Sequence, residues 1–437
     1  MPVRVIGLIS VFCFAVVMTD AEAQETKFPD IDKNGEPSSW DIEGEYEVKL
    51  DYRKNFSLHR RNRDDLFRFD QEFQLRWSYR YNDWISFLLE GKLIGEHQLY
   101  TGGGGRRSEF EPERGETWVR FDQLFGRDLS LKIGRQNFEE PRRWWWDDDL
   151  DGVGMRYRRD SWSFDLGMGQ ELPRKSLRED FSDPENEGVI RVLARANWRY
   201  FKTHGLDLFF LYHNDRSRTP SVGSLVQADR EDDSDARLWW SGIRASGNEP
   251  AAAYGELSYW ADAATVFGKE TFLDLDNVPG NQEIVTSRKR RRVRGWAFDL
   301  GVRWASQLPR EPLFTLGYAI GSGDRKPEKG PDRAFRQTGL QSTDEEFRIY
   351  GELLQPELSN LSIPVVAVQF PIFSKSCCHL KSIQFQNLLR RNHDPSNSDP
   401  SFNMGLHCQF RSGPNQTPAR HRHHHAGSEK MARVVSQ

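Results

Sequence analysis

The stretch from residue 65 to 82 constrains the fold most strongly, because polar and apolar side chains alternate along it almost without interruption. Successive side chains of a β-strand point to opposite faces. One face of this strand would carry Phe67, Phe69, Phe73, Leu75, Trp77, Tyr79 and Tyr81, and the other Arg68, Asp70, Glu72, Gln74, Arg76, Ser78 and Arg80. The pattern therefore predicts a long strand with one apolar face and one charged face.

The length of this strand separates two classes of β-protein. Strands of soluble proteins are usually about five or six residues long, whereas this alternation runs from Leu66 to Tyr81. A strand of that length suits a tilted crossing of a bilayer, with the apolar face toward lipid and the charged face toward a watery lumen. We therefore expect an all-β fold, a transmembrane antiparallel β-barrel.

The N-terminus resembles a secretory signal peptide. A charged start that includes Arg4 precedes an apolar run from Val5 to Val17, and Ala21-Glu-Ala23 provides a small-residue cleavage site. We expect residues 1–23 to be removed and residues 24–43 to form a short periplasmic segment. No later run approaches the roughly 18 consecutive apolar residues that a spanning helix needs, so a membrane location depends on strands.

Composition supports one large barrel and argues against nucleic-acid binding. The 437 residues include 12% aromatic residues and 14 Trp, and 61 basic residues nearly balance 65 acidic ones, for a net charge of -4. Nucleic-acid binding is associated with a basic excess. Of the 4 Cys, Cys13 lies in the predicted signal peptide and the others are Cys377, Cys378 and Cys408. No disulfide framework is expected within the barrel.

Connections between the predicted strands alternate in length along residues 44–363. About fourteen strands, with the start of another near Ser359, are joined by short turns and long loops in turn. Outer-membrane barrels have short periplasmic turns and long external loops, so we assign residues 44–363 to an incomplete barrel.

The pattern ends after Ile363. Residues 364–437 contain no Trp or Tyr but hold three of the 4 Cys and seven of the 11 His, including the His-rich run near His423. We interpret residues 364–437 as an anomalous tail, either disordered or the product of a reading-frame error, with the frame error favoured. Barrels close to remove strand edges, so a chain ending this way would assemble poorly.

Several short segments, taken together, resemble the alginate-export family of bacterial outer-membrane proteins. They are Tyr46-Glu-Val-Lys-Leu50, Gln74-Leu-Arg-Trp77, Glu116-Thr-Trp-Val119, Ile133-Gly-Arg-Gln136, Phe335-Arg-Gln-Thr-Gly-Leu340 and Tyr350-Gly-Glu-Leu-Leu-Gln-Pro-Glu-Leu-Ser-Asn-Leu361. Two features depart from the family: counterparts of its last strands are not recognisable, and Asn137 stands where the family can carry a basic residue.

The resemblance implies a monomeric barrel of 18 strands in the bacterial cell outer membrane. It implies export of alginate or a similar acidic polysaccharide through a basic lumen, partly covered by an extracellular loop and a periplasmic turn. It further implies contact with outer-membrane lipid and with a periplasmic helical-repeat scaffold lipoprotein. No cofactor, nucleic acid or enzymatic activity is expected.

Passage of a polyanion requires positive charge on the lumen face. Alternation predicts an inward position for Lys49, Arg68, Arg76, Arg80, Lys132, Arg156, Arg191, Arg195, Arg199 and Arg303. Arg135 belongs to a family motif, but a β-bulge would be needed to turn it inward. Asp147, Asp151 and Asp299 are expected to be acidic residues of the lumen or its mouth. Alternatively, these charges form structural ion-pair ladders across neighbouring strands.

Three loop features leave alternatives open. Asp147, Asp149 and Asp151 have the opening spacing of a calcium loop, but Arg158 stands where an EF-hand has Glu, so acidic residues at a pore mouth are the favoured interpretation. Trp144-Trp-Trp146 could stack on sugar rings or belong to an interfacial aromatic belt, and the belt is favoured. Arg288-Lys-Arg-Arg-Arg292 could attract a polyanion or lipopolysaccharide phosphates, or form a solvated loop.

The sequence therefore favours a porin that passively exports an anionic polysaccharide. The alternatives are a general or anion-selective porin for small solutes and a secreted β-rich polysaccharide lyase or hydrolase. Nothing in the sequence singles out a nucleophile, a histidine-based dyad or a nucleotide site.

Overall fold

A computed structural model shows how these strands assemble. It describes residues 14–18, 39–53, 66–100, 106–126, 128–172, 188–215, 219–227, 234–251, 254–279, 282–326, 330–341, 350, 357–373, 376–384, 386–387 and 402–412. No helix in these ranges is long and apolar enough to cross a membrane.

The described residues form nineteen strands and one short 3₁₀ turn, Leu124–Gly126. The strands are β1 (Phe14–Met18), β2 (Ser39–Arg53), β3 (Leu66–Asn82), β4 (Ile85–Tyr100), β5 (Arg106–Phe121), β6 (Leu129–Glu139), β7 (Asp147–Arg159), β8 (Trp162–Gln170), β9 (Ile190–Phe201), β10 (His204–Asn214), β11 (Leu225–Gln227), β12 (Ser234–Pro250), β13 (Gly255–Val278), β14 (Gln282–Ser306), β15 (Leu313–Gly321), β16 (Leu361–Phe373), β17 (Ser376–Gln384), β18 (Gln386–Asn387) and β19 (Phe402–Ser412).

Strand β3 has the two faces that its alternation predicts. Phe73, Leu75 and Trp77 are 42%, 48% and 40% exposed, while the charged residues between them are partly covered. Exposed apolar side chains along a whole strand face are unfavourable in water and favourable in lipid. The predicted fold, a transmembrane antiparallel β-barrel sheet, is confirmed.

The sheet follows chain order. Antiparallel ladders join neighbouring strands from β2 to β10, join β10 to β12, and continue from β12 to β17 and then to β19. The short β11 pairs with β14 instead. Strand β1, inside the predicted signal peptide, runs parallel to β19. Among the described strands no ladder joins β19 to β2, so the sheet is not closed.

Strands β13 and β14 form the longest hairpin, with 24 and 25 residues. A tilted strand needs only about 9–11 residues to cross a bilayer. The short connection at the other end of β14, from Ser306 to Leu313, fits the predicted periplasmic turns, so the excess length lies at the end where the external loops are expected. Arg288–Arg292, expected as a loop, lies within β14.

Two predicted boundaries differ from the structure. Strand β2 begins at Ser39, inside the predicted periplasmic segment, because Trp40 and Ile42 continue its outward apolar face. Strand β16 continues past Ile363 to Phe373 and pairs with β15 and β17. Its core, Ile-Pro-Val-Val-Ala-Val, is apolar at both parities, so alternation does not reveal it. Residues 413–437, including the His-rich run, lie outside the described residues, and the anomalous tail stays a prediction there.

Candidate functional site

The inward face of β3 to β10 carries a wall of paired charges. Carboxylates of neighbouring strands hold most of its cations. The shortest N–O separations are Arg76–Glu90 2.8 Å, Lys92–Glu72 3.2 Å, Lys132–Glu116 3.5 Å, Arg156–Asp165 2.7 Å and Arg195–Asp207 2.7 Å. The pairs with both partners partly exposed, Lys92–Glu72, Lys132–Glu116 and Arg156–Asp165, contribute about 0–1 kcal/mol each. The Glu90 and Asp207 side chains are nearly buried, at 3% and 4% exposed. The wall therefore presents charges of both signs, and its partly exposed ion pairs are weak.

The predicted lumen cations differ in the partners that their side chains have in the structure. Arg76, Lys132, Arg156 and Arg195 are in the wall, and Arg80 also has an interaction partner. The Lys49 backbone pairs with Asp70 in the β2–β3 ladder, but its side chain lies outside what the structure describes. Structural ion-pair ladders, the alternative left open by the sequence, thus account for most of the set.

Arg135 is buried without the β-bulge that its alternation requires. The residue is 3% exposed, and its guanidinium lies 3.6 Å from Asp151 and 3.9 Å from Asp149. No register shift interrupts the ladders of β6 with β5 or β7 around it. Instead Gly134 has φ 128°, a conformation that a side chain at this position would strain. The local irregularity is a glycine conformation, and the predicted bulge is wrong.

The acidic run at the start of β7 is held by cations. Asp151 pairs with Arg114 at 2.7 Å as well as with Arg135, and Asp147 lies 3.4 Å from Arg143. Among the described residues no group of three His, Cys, Asp or Glu side chains could hold a metal ion. The calcium alternative for Asp147, Asp149 and Asp151 therefore has no support in the geometry.

The connection between β6 and β7 folds into the barrel as an internal plug, residues 140–146. Trp144, Trp145 and Trp146 are 2%, 1% and 5% exposed, so the favoured assignment to an interfacial aromatic belt is wrong. They pack on inward apolar side chains of β9 to β14, with Trp145 stacked on Phe209 at 4.8 Å. Gly242 makes room, since a Cβ there would lie 2.3 Å from the Trp145 ring.

A buried ion-pair network anchors the plug to the barrel wall. The Glu140 carboxylate accepts hydrogen bonds from both terminal nitrogens of Arg244, one at 3.1 Å, and from the backbone N–H of Trp145 at 2.9 Å. Arg244 Nε donates to Asp262 at 2.7 Å. The three side chains are at most 2% exposed. Removing one member would leave an uncompensated buried charge, which is costly.

Glu140 stays ionised in this network. Burial favours its neutral form, but the Arg244 guanidinium and the backbone N–H groups of Arg142 and Trp145 outweigh burial and lower the pKa of Glu140 to about 2. A depressed carboxyl pKa stabilises the fold above the ordinary value of 4.5, and this stabilisation is lost only as the pH falls toward about 2. The anchor therefore persists across the physiological range.

Asp299, predicted as a lumen acid, joins the plug to two further segments. It accepts hydrogen bonds from Trp260 Nε1 at 2.6 Å, from the Tyr350 hydroxyl at 2.7 Å and from Arg142 Nη2 at 3.2 Å. The Tyr350 hydroxyl in turn accepts from Trp144 Nε1 at 2.6 Å. Burial and the neighbouring Asp299 raise the pKa of Tyr350, so it remains a neutral donor.

In the part of the chain that the structure describes, Arg303 and Arg191 are inward cations with unpaired guanidinium nitrogens. Arg303 follows Asp299 and Gly301 along the inward face of β14, and its buried Nε has no hydrogen-bond partner. Arg191 is 6% exposed, and its Nε and Nη1 are likewise unpaired. Neither forms an ion pair with another described residue. Unfilled guanidinium donors are suited to carboxylate groups, so these two sites differ from the paired wall.

The sequence did not indicate the residues that anchor the plug: Glu140, Arg142, Arg244, Asp262 and Tyr350. One signal was present. Trp144–Trp146 is an apolar run within a loop flanked by charges, and apolar side chains in such a loop are expected to be buried against other parts of the protein.

Comparisons with known proteins agree with this architecture. The profile of the family described as alginate export matches residues 47–394. The alginate production protein AlgE of Pseudomonas syringae pv. tomato is 22% identical over 245 residues, which cover 53% of this chain and 46% of that protein. The chain thus spans about half the length of this curated relative.

Two solved structures align with most of this chain at low TM-scores. OpdQ of Pseudomonas aeruginosa has a TM-score of 0.43 at 13% identity, with 81% of this chain and 83% of that chain covered. Salmonella typhi OmpF in complex with daunomycin has a TM-score of 0.43 at 8% identity, with 82% and 92% covered. The family match extends past Ile363, as do the strands, and covers most of the barrel. The chain belongs to the alginate export family of bacterial outer-membrane β-barrel proteins.

Proposed function

We propose that this chain is a passive outer-membrane channel that exports an anionic exopolysaccharide, alginate or a similar polyuronate, through its charged lumen. The observation that carries the proposal is Arg303, an inward cation whose buried Nε has no hydrogen-bond partner among the described residues. The nearby Arg142 is already shared between Asp262 and Asp299. The Arg303 guanidinium forms no ion pair with a described residue, so its charge is available to a uronate carboxylate that enters from the periplasm.

The ion pairs of the wall favour passage of the polymer rather than tight binding of it. A polymer that carries a carboxylate on every sugar is attracted by the cations of the wall, while Glu72, Glu90, Glu116 and Asp165 compete for the same groups. Conduction requires binding that is strong enough for entry and weak enough for exit. Because no nucleotide motif is present in the sequence, the energy would come from polymer synthesis and delivery.

The proposal includes a monomeric barrel that is not an enzyme, delivered by a signal peptide that ends at Ala23. It also includes a helical-repeat scaffold lipoprotein at the periplasmic mouth. The alginate-export family match supports a channel, the N-terminal sequence pattern supports the signal peptide, and Arg76, Lys132, Arg195 and Arg303 support the Arg/Lys-lined lumen. The monomeric state and the scaffold lipoprotein are inferred from the family resemblance.

Arg303→Gln is expected to weaken block of the channel by polyuronate about tenfold, because a charged hydrogen bond to a carboxylate is lost. The measurement is single-channel current of purified protein in planar bilayers, titrated with polymannuronate or polyguluronate from the periplasmic side. The matched control is Arg156→Gln, which removes a cation already paired with Asp165 at 2.7 Å and should change block less than about twofold.

A neutral glucan of equal length serves as the polymer control and should not block either variant. Equal block by the glucan, or equal effects of the two substitutions, would contradict a carboxylate-selective role for Arg303. Small-anion selectivity without block by any polymer would favour the general porin instead.

A further inference from the structure

Strands β12 to β14 carry a row of cations on their outer surface. The row lies above the band of apolar side chains that faces lipid. Along β14, Trp296, Phe298, Leu300 and Val302 are 43%, 45%, 49% and 41% exposed. The same face continues toward the cell exterior with Arg294, Arg292 and Arg290, all exposed. Side chains of a strand change face at every residue, so these arginines lie above the apolar band on the same outer face.

Three cations from three strands are directly opposite one another in this region. Arg237 of β12 pairs in register with Lys269 of β13, and Lys269 pairs with Arg292 of β14. All three are exposed. Like charges directly opposite on one sheet face are destabilising. We call Arg237, Lys269 and Arg292 the cationic row.

Carboxylates of the described residues do not compensate the row. Lys269, Arg290, Arg292 and Arg294 form no ion pair with another described residue, and Arg237 Nε donates only to the amide oxygen of Asn214, at 3.0 Å. Asp235, the acid on the same face, is held by Arg288 at 3.2 Å. Repulsion within the row would be relieved by an external anion.

The position of the row decides which anion it meets. One step toward the membrane, Trp239, Phe267 and Arg294 form the next row of the register, and Phe267 is 48% exposed. Lipid phosphates lie just outside the hydrocarbon layer, where the apolar band ends. A polymer inside the lumen would meet the opposite face, where Arg291 pairs with Asp324 at 3.4 Å.

We propose that the cationic row, flanked by Arg290 and Arg294, binds the phosphorylated head group of an outer-leaflet lipid. Guanidinium groups bind phosphate through paired hydrogen bonds, and Lys269 adds a point charge between them. The acyl chains then contact Trp296, Phe298 and Phe267. This site is on the outside of the barrel and does not depend on what the lumen transports.

Native mass spectrometry of the full chain in detergent tests the proposal. Lipid A, which carries phosphates on a glycolipid, is the probe, and phosphatidylcholine is the reference lipid. The wild type is expected to bind one lipid A in preference to phosphatidylcholine. The variant Arg237→Gln/Lys269→Gln/Arg292→Gln should bind lipid A on the order of 100-fold more weakly, from about fivefold per surface cation.

The matched control removes three exposed cations at the periplasmic turns, Arg159→Gln/Lys202→Gln/Arg310→Gln, and should bind like the wild type. Unchanged heat-modifiable gel migration verifies that each barrel is folded. If the triple variant does not insert, Lys269→Gln alone should still weaken binding about fivefold.

Two results would overturn the proposal. One is undiminished lipid A binding by the row variants. The other is displacement of lipid A by inorganic phosphate or by a short polymannuronate at equal concentration, which would identify a small-anion or polymer site instead of a lipid site.

Discussion

Arg244→Met is expected to lower the free energy of unfolding by about 3–5 kcal/mol, because removing one member of a buried ion pair leaves its partners charged and uncompensated. The Glu140 and Asp262 side chains that Arg244 holds are both 0% exposed. Urea titration of the protein in lipid vesicles measures the loss. Freed from its anchor, the plug should also move, and single-channel conductance should rise.

A partly exposed pair provides the matched control for this prediction. Arg156→Met breaks the ion pair between Arg156 and Asp165, whose side chains are 45% and 30% exposed. This substitution should lower the free energy of unfolding by about 1 kcal/mol or less. Adding Glu140→Gln to Arg244→Met removes one buried charge while keeping an acceptor for the backbone N–H groups of the plug, so it should recover part of the stability. Equal losses for Arg244→Met and Arg156→Met would show that the plug is not anchored by this network.

Trp145→Ala is expected to cost about 3–5 kcal/mol, the usual range for removing a large buried aromatic side chain. Trp145 is 1% exposed, stacks on Phe209 and contacts Trp144 edge to face at 5.1 Å. The space left by the indole lies inside the barrel, so the channel should conduct more current and be blocked less sharply by polymer.

Trp162→Ala is the control that distinguishes an effect of losing the plug from an effect of losing a tryptophan elsewhere in the barrel. Trp162 is 45% exposed on the lipid-facing side of β8 and stacks on Trp198 at 5.4 Å. Its removal should leave conductance unchanged and cost less stability than Trp145→Ala. If both variants conduct equally, the plug does not shape the conducting path.

Strands with one apolar and one polar face were predictable because their alternation reflects their local environment, whereas β16, apolar at both parities, was not. In β3 every second residue faces lipid, so the alternation from Phe67 to Tyr81 identifies the strand without reference to its neighbours. The same rule predicts an inward position for Arg76, Lys132, Arg156, Arg195 and Arg303.

The plug was not predictable because its stability comes from distant partners. Glu140 and Arg244 are 104 residues apart in the chain, and nothing near either residue shows that they meet. Alternation also cannot distinguish a cation paired across the wall, such as Arg195, from one left open, such as Arg303. The β-bulge expected beside Arg135 was wrong because glycine conformation, here at Gly134, is not visible in hydrophobic periodicity.

The central claim, export of an anionic polysaccharide, is tested most directly in cells. Secreted uronate polymer would be measured in a bacterium that makes the polymer but lacks its own exporter, with and without this chain. The account predicts that polymer appears outside only when the chain is present, while uptake of small neutral solutes is unchanged. Restored solute uptake without secreted polymer would contradict it and identify a general porin.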